Sequence, residues 1–140
     1  MAGLTLRIIT PDRVVLDEVV DSVRVPASDG SMGIFPKHAG AVTTLDAGEL
    51  RYAAAGGELS IFVSGGFAEV RGDTVRVLTS AGEAPTEIDE ERAKAAEKRA
   101  RERLAMTRED VKRDAVDTAR ARASLQRAMA RIQMHSRHSS

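Results

Sequence analysis

The sequence contains no cysteine and no tryptophan, and its aromatic residues are limited to Phe35, Tyr52, Phe62 and Phe67. Without cysteine there is no disulfide, no thiolate nucleophile and no zinc ribbon, a composition that suits a reducing compartment. No apolar run approaches the ~20 residues that cross a bilayer. The N-terminal Met1-Ala2-Gly3-Leu4-Thr5-Leu6-Arg7 has neither the basic flank nor the apolar core of a secretory signal. Net charge is zero, with 21 basic and 21 acidic residues, so no global field favours nucleic acid. The largest absence is regional. Beyond Thr86 there is no glycine, no proline and no aromatic residue.

That regional absence divides the chain. Glycine and proline punctuate strands and turns, whereas alanine, arginine, lysine and glutamate fill helices. Residues 1–86 carry 7 basic and 11 acidic residues, and 87–140 carry 14 and 10, so a net −4 precedes a net +4. The expected domains are a β-rich head over 1–85, a helical hairpin over 86–135 and a frayed Ser/His-rich end over 136–140.

In the head, Leu4, Leu6 and Ile8 alternate with Thr5, Arg7 and Ile9, the period of a strand. Val14–Val20, Val23–Val25, Met32–Phe35, Ala41–Leu45, Leu50–Ala53, Leu59–Ser64, Phe67–Arg71 and Val75–Thr79 read as further strands. Pro26 is expected to stop one of them, Asp46-Ala47-Gly48 to form a turn, and Gly56-Gly57 and Gly72-Asp73 to mark hairpins. About ten short strands with regular turns describe an antiparallel sandwich or small barrel. The four aromatics are expected to anchor its core.

In the tail, Thr86-Glu87-Ile88-Asp89 has the form of a capping box. A helix is expected from there to about Ala105, and a second from Thr107-Arg108-Glu109-Asp110 to about Ile132, each ~30 Å or more long. The apolar stripes are thin: Ile88, Ala93, Ala96, Ala100 and Leu104, then Val111, Ala115, Ala121, Leu125, Ala128, Met129 and Ile132. An alanine seam lets helices approach closely but buries little, so such a hairpin can open at modest cost.

Few constellations carry chemistry. His135-Ser136-Arg137-His138 has metal-pair spacing but no third ligand nearby. Ser64 lacks the preceding glycine of a nucleophile elbow, and Gly65-Gly66 is not a phosphate loop. His38 fits a loop-fixing role better than a base. No active site is assembled, and no metal is implied. Arg92 and Arg99, seven apart, and Arg120, Arg127 and Arg131 on the second helix can form a polyanion-binding rim over a small-residue floor. The same spacing also fits surface arginines neutralised by Glu97, Glu102 and their neighbours.

Three stretches in order carry a family resemblance. Asp29-Gly30-Ser31-Met32-Gly33-Ile34-Phe35-Pro36-Lys37-His38-Ala39 resembles the G-x-x-G-I-x-P-x-H loop of the epsilon subunit of bacterial F-type ATP synthases. Val63-Ser64-Gly65-Gly66-Phe67-Ala68-Glu69-Val70 resembles that family's S-G-G-x-x-E-V stretch. Ile88-Asp89-Glu90-Glu91-Arg92-Ala93 and Gln126-Arg127-Ala128-Met129-Ala130-Arg131 resemble its helical domain. The resemblance implies a two-domain α+β fold: a ten-stranded antiparallel β-sandwich, then an antiparallel two-helix hairpin. It implies a non-catalytic subunit of the rotating central stalk, peripheral to the cytoplasmic face of the bacterial plasma membrane. Its partners there are the gamma subunit and the c-subunit ring, with the alpha and beta subunits met by an extended tail that restrains ATP hydrolysis. Through Gly30, Gly33, Ile34, Pro36 and His38 the head loop is expected to touch a partner. The resemblance further implies ATP as a regulatory ligand, not a required cofactor, held by Glu83, Ile88, Asp89, Arg92, Ala93, Arg99, Arg127 and Arg131. The segment around Thr107–Asp117 is a few residues longer than the family pattern, which bears on the register of Arg127 and Arg131. The competing reading is a free-standing interaction module with no rotary role.

Overall fold

The computed structural model describes residues 3–36, 40–109 and 115–138. It divides into two compact units, Met1–Pro85 and Thr86–Ser140. The first holds β1 (Leu4–Ile9), β2 (Val14–Val20), β3 (Ser22–Ala27), β4 (Gly30–Ile34), β5 (Ala41–Ala54), β6 (Gly57–Arg71), β7 (Thr74–Leu78) and β8 (Gly82–Glu83). A 3-10 turn at Pro85–Glu87 leads to α1 (Glu90–Glu109) and α2 (Ala115–His138).

The strand order is β2-β1-β7-β6-β5-β3-β4, with β8 on the free side of β6. All pairings are antiparallel except β1 with β7, which run in parallel. Three strands separate β1 from β3 in this order, yet Leu4, Leu6 and Ile8 share one core with Val23, Val25 and Ile34. That is possible only if the sheet folds over on itself into two facing layers. Gly82 confirms the contact: a Cβ there would meet Val15 at 3.2 Å and Ile8 at 3.6 Å. Tyr52 on β5 is also raised above the ordinary tyrosine pKa, first by burial and then by the charge of Glu18 on β2.

The fold-over lies at Ser64-Gly65-Gly66. Before it, β6 pairs with β8 through Phe62 and Val63; after it, with β7 from Phe67 to Arg71. Gly65 and Gly66 both have φ of 106°, a conformation that side-chain-bearing residues avoid. Throughout this change β5 stays paired with β6, so both strands serve both layers.

Several expectations are corrected by this geometry. Eight strands are present among the described residues because four short runs join into two long ones, of 14 and 15 residues. Asp46-Ala47-Gly48 is not a turn but a stretch of β5. Pro26 does not stop β3: it pairs with Ser31 of β4, and the pairing to β5 shifts register between Arg24 and Ala27, where its missing N–H costs no ladder bond. The β5–β6 turn is centred on Ala55 and Gly56, at φ 52° and 77°, one residue earlier than expected. Of the aromatics, Phe62 and Tyr52 are buried, but Phe35 is 58% exposed and Phe67 45%. Strand alternation explains Phe67: Ala68 and Val70 take the inward positions and leave it outward.

The helices also differ in detail. The cap of α1 is Asp89, whose Oδ1 accepts the Arg92 N–H at 3.0 Å; Thr86 lies in the preceding 3-10 turn. α1 continues to Glu109, past the expected start of the second helix. Val111 and the middle of the inter-helix segment, 110–114, lie outside the described residues. α2 continues to His138, so residues 136–138 are helical; His135, Arg137 and His138 complement the negative end of the helix. The buried tail residues are Ile88, Ala93, Ala100, Ala121, Ala128 and Met134, whereas Met129 is exposed.

Candidate functional site

The tail arginines are set by the hairpin. Glu90, the first residue of α1, accepts from Lys94 at 2.9 Å and from His135 of α2 at 3.0 Å. Two turns further on, Arg101 pairs with Glu97 at 3.1 Å and reaches the Met129 sulfur at 3.9 Å. These two cross-helix contacts fix an antiparallel register. They bracket Arg92 and Arg99 on α1 and Arg131 on α2, with Arg127 just beyond Met129. Ile88 and Ala93 are buried, and Asp89 is committed to capping. Arg127 binds the Ser124 hydroxyl at 3.1 Å. Among the described residues, neither Arg92 nor Arg99 has a carboxylate in ion-pair range, and Glu97 pairs with Arg101. Their side chains are exposed and unneutralised, as an anion-binding role requires. Glu83 belongs to the first unit, on β8, where its backbone pairs with Phe62.

Of the head-loop residues, Gly30 opens β4 at φ 128° and Gly33 lies within it. Ile34 is fully buried, its side chain packed in the core of the head. Pro36 is half-buried, and His38 lies outside the described residues. Sequence reasoning missed Phe35, whose ring stands outward beside the Arg24 guanidinium over Gly33. Its alternation with Ile34 was the available signal. Other exposed apolar side chains on the head are Val42 of β5, which is 71% exposed, Phe67 of the neighbouring β6, and Val14 and Val19 of β2.

Ser64 has no catalytic setting. Its hydroxyl is held by Ser80 at 2.6 Å and Thr79 at 3.2 Å and accepts the Ala81 N–H at 2.9 Å, which ties β6 to the segment leading into β8. No cluster of three metal-ligating side chains occurs among the described residues, and no helix among them is long and apolar enough to cross a membrane.

A folded-over β-sandwich followed by an antiparallel helical pair defines a two-module α+β protein with exposed apolar and cationic side chains. Residues 3–85 match the family model for the ATP synthase delta/epsilon chain β-sandwich domain, and 86–135 that for its long α-helix domain. The chain belongs to the epsilon-chain family of ATP synthases, non-catalytic subunits of that complex. It is 45% identical over 132 residues to the ATP synthase epsilon chain of Nitratidesulfovibrio vulgaris strain DP4, covering 94% of this chain and 95% of that one. It is 51% identical over 102 residues to that of Carboxydothermus hydrogenoformans, covering 73% and 76%. Among solved structures, a chain of the Euglena gracilis mitochondrial ATP synthase aligns with a TM-score of 0.79 at 23% identity, over 99% of this chain and 83% of that one. A chain of the Tetrahymena thermophila mitochondrial ATP synthase central stalk and c-ring aligns at 0.65 and 14% identity, over 98% and 96%. At such identities the structural likeness speaks for the fold.

Proposed function

We propose that this chain sits in the central stalk, at the cytoplasmic face of a bacterial plasma membrane, and couples rotation to ATP synthesis. Its head binds the gamma subunit and the c-subunit ring. Its tail opens to reach the alpha and beta subunits and restrain ATP hydrolysis. The observation that carries this reading is the seam of the hairpin. Ala93, Ala100, Ala121 and Ala128 are its buried alanines. At ~0.8 kcal/mol per buried carbon, four methyls contribute about 3 kcal/mol, and the buried Met134 adds about 1.5–3 kcal/mol. That is small enough for a partner surface to displace, and a net +4 tail suits acidic partners.

ATP is proposed as the ligand that holds the hairpin closed. Arg92, Arg99, Arg127 and Arg131 supply the cationic groups, and Ile88, Asp89 and Ala93 shape the helix start. A closed hairpin that binds ATP is stabilised over the open one by that binding alone.

The test is ATP hydrolysis by the enzyme stripped of this subunit and reconstituted with the full chain or with a version ending at Pro85. The proposal expects the truncated form to assemble and to hydrolyse faster. Equal rates with both forms overturn the inhibitory role, and failure of the full chain to assemble overturns the stalk assignment.

A further inference from the structure

The outer face of the β4–β3–β5–β6 layer carries a cationic groove that the roles above leave unused. Its central row is Gly33, Arg24 and Arg51, which lie directly opposite one another on three neighbouring strands. Two arginines facing each other across a strand pair repel, so like charges there are ordinarily destabilising. Arg51 is compensated: it lies 3.5 Å from Glu49 and 3.9 Å from Glu58. Arg24 is not. Its guanidinium reaches only the Ser31 hydroxyl, at 3.2 Å, and among the described residues it has no carboxylate partner. Gly33 lets the two groups close over its backbone: a Cβ there would come within 3.3 Å of the Phe35 ring and 3.4 Å of the Arg24 nitrogen. The groove has a volume of about 270 Å³ and is walled by Phe35 and the backbone around Ala53.

We propose that this groove receives a carboxylate side chain of a protein partner, bound by the fork of Arg24 and packed against Phe35. Charge complementarity names the chemistry: an uncompensated guanidinium matches a carboxylate in a two-bonded geometry. Shape names the source. Small-molecule sites are enclosed and usually larger, at roughly 300–1,000 Å³. An open groove with one exposed aromatic and one arginine has instead the composition of an interface anchor. The groove shares Gly33 and Phe35 with the Gly30–Pro36 segment, so it is continuous with the head loop expected to touch a partner. In this it rests on the stalk reading and adds the chemistry of one contact.

The experiment measures binding of the full chain to ATP synthase stripped of this subunit, with Arg24→Glu, Arg24→Lys and Phe35→Ala variants at two salt concentrations. Arg24 is exposed, so the variants should melt with the wild type. The expected result is about 10- to 100-fold weaker binding for Arg24→Glu, an intermediate value for Arg24→Lys, and a smaller salt dependence for both. Wild-type affinity for Arg24→Glu, with normal assembly of the unmodified chain, overturns the groove and leaves the stalk reading standing. If the unmodified chain does not bind, the stalk reading falls. The groove is then decided by amide shifts of the full chain titrated with polyglutamate. Shifts at Ser22–Arg24, Gly33–Phe35 and Arg51 that vanish in Arg24→Gln uphold it. An absence of such shifts, or stronger shifts with inorganic phosphate, overturns it.

Discussion

Replacing Gly66 by alanine should be among the most damaging single-carbon changes in the head. A Cβ at this position would overlap the carbonyl oxygen of Leu78 and would lie 3.0 Å from the Leu78 carbonyl carbon and 3.1 Å from the Thr79 Cα. All three are backbone atoms, so no side chain can rotate away. Relief requires β6 and β7 to separate where Phe67 pairs with Leu78 and Ala68 with Val77. Holding alanine at φ 106° costs about 1–3 kcal/mol. Losing two backbone hydrogen bonds adds about 1–3 kcal/mol. The sum is about 4 kcal/mol, a large part of a small domain's stability. Gly72→Ala is the control: Gly72 also has positive φ, 61°, but nothing lies within 4 Å of its added Cβ, so only the conformational cost of about 1 kcal/mol applies. Thermal and urea unfolding of the full chain, followed by circular dichroism, should show a drop of about 15 °C or more for Gly66→Ala and about 4–8 °C for Gly72→Ala. Equal effects would refute the claim that backbone crowding at the fold-over, and not glycine conformation alone, fixes this residue.

Ala55 sits at φ 52° in the β5–β6 turn, so Ala55→Gly should raise stability by about 0.5–1 kcal/mol, and a lower melting temperature would contradict this. Glu90 is held below the ordinary carboxylate pKa, first by the Lys94 hydrogen bond, then by the Lys94 charge and by His135. A lowered acid pKa stabilises the folded form above the ordinary value of about 4.3. The larger part of that contribution is made with Lys94 on the same helix and is lost as pH falls through the lowered value, so the first turn of α1, followed by amide chemical shifts, should fray in acid, and Glu90→Gln should flatten the transition. Arg92→Ala with Arg99→Ala should reduce ATP binding by calorimetry about tenfold or more without changing the fold, since both side chains are exposed; unchanged binding would remove them from the site.

Where the sequence was legible, the period of the local structure and the burial pattern agreed. Leu4, Leu6 and Ile8 alternate in the chain and are fully buried in the core. The helical tail was legible from its lack of glycine and proline. Errors fell where tertiary pairing overrode local signals. Asp46-Ala47-Gly48 has turn composition, but the neighbouring β6 holds it in a strand, and Gly48 is needed there because a Cβ would approach Pro26 at 3.0 Å. Pro26 reads as a strand breaker only until one knows that a register shift removes the hydrogen bond it lacks. The capping-box pattern points to Thr86 as the cap, but the 3-10 turn at Pro85–Glu87 delays the helix and hands that role to Asp89.

The candidate sites were harder to read for a different reason. Core positions are constrained by their immediate neighbours, whereas a docking surface answers to a molecule that the chain does not encode. Phe35 and Phe67 are the clearest instances. In a chain with only four aromatics, each should be valuable inside, since burying a phenyl ring contributes about 1.5–3 kcal/mol. Yet two of the four face outward while the core is filled by Leu, Ile and Val. Leaving a scarce large ring in water forgoes that stabilisation in the isolated chain. The loss is recovered if a partner covers the ring. The unneutralised Arg24 beside Phe35 follows the same logic, because an arginine opposed by another arginine adds nothing to the head alone.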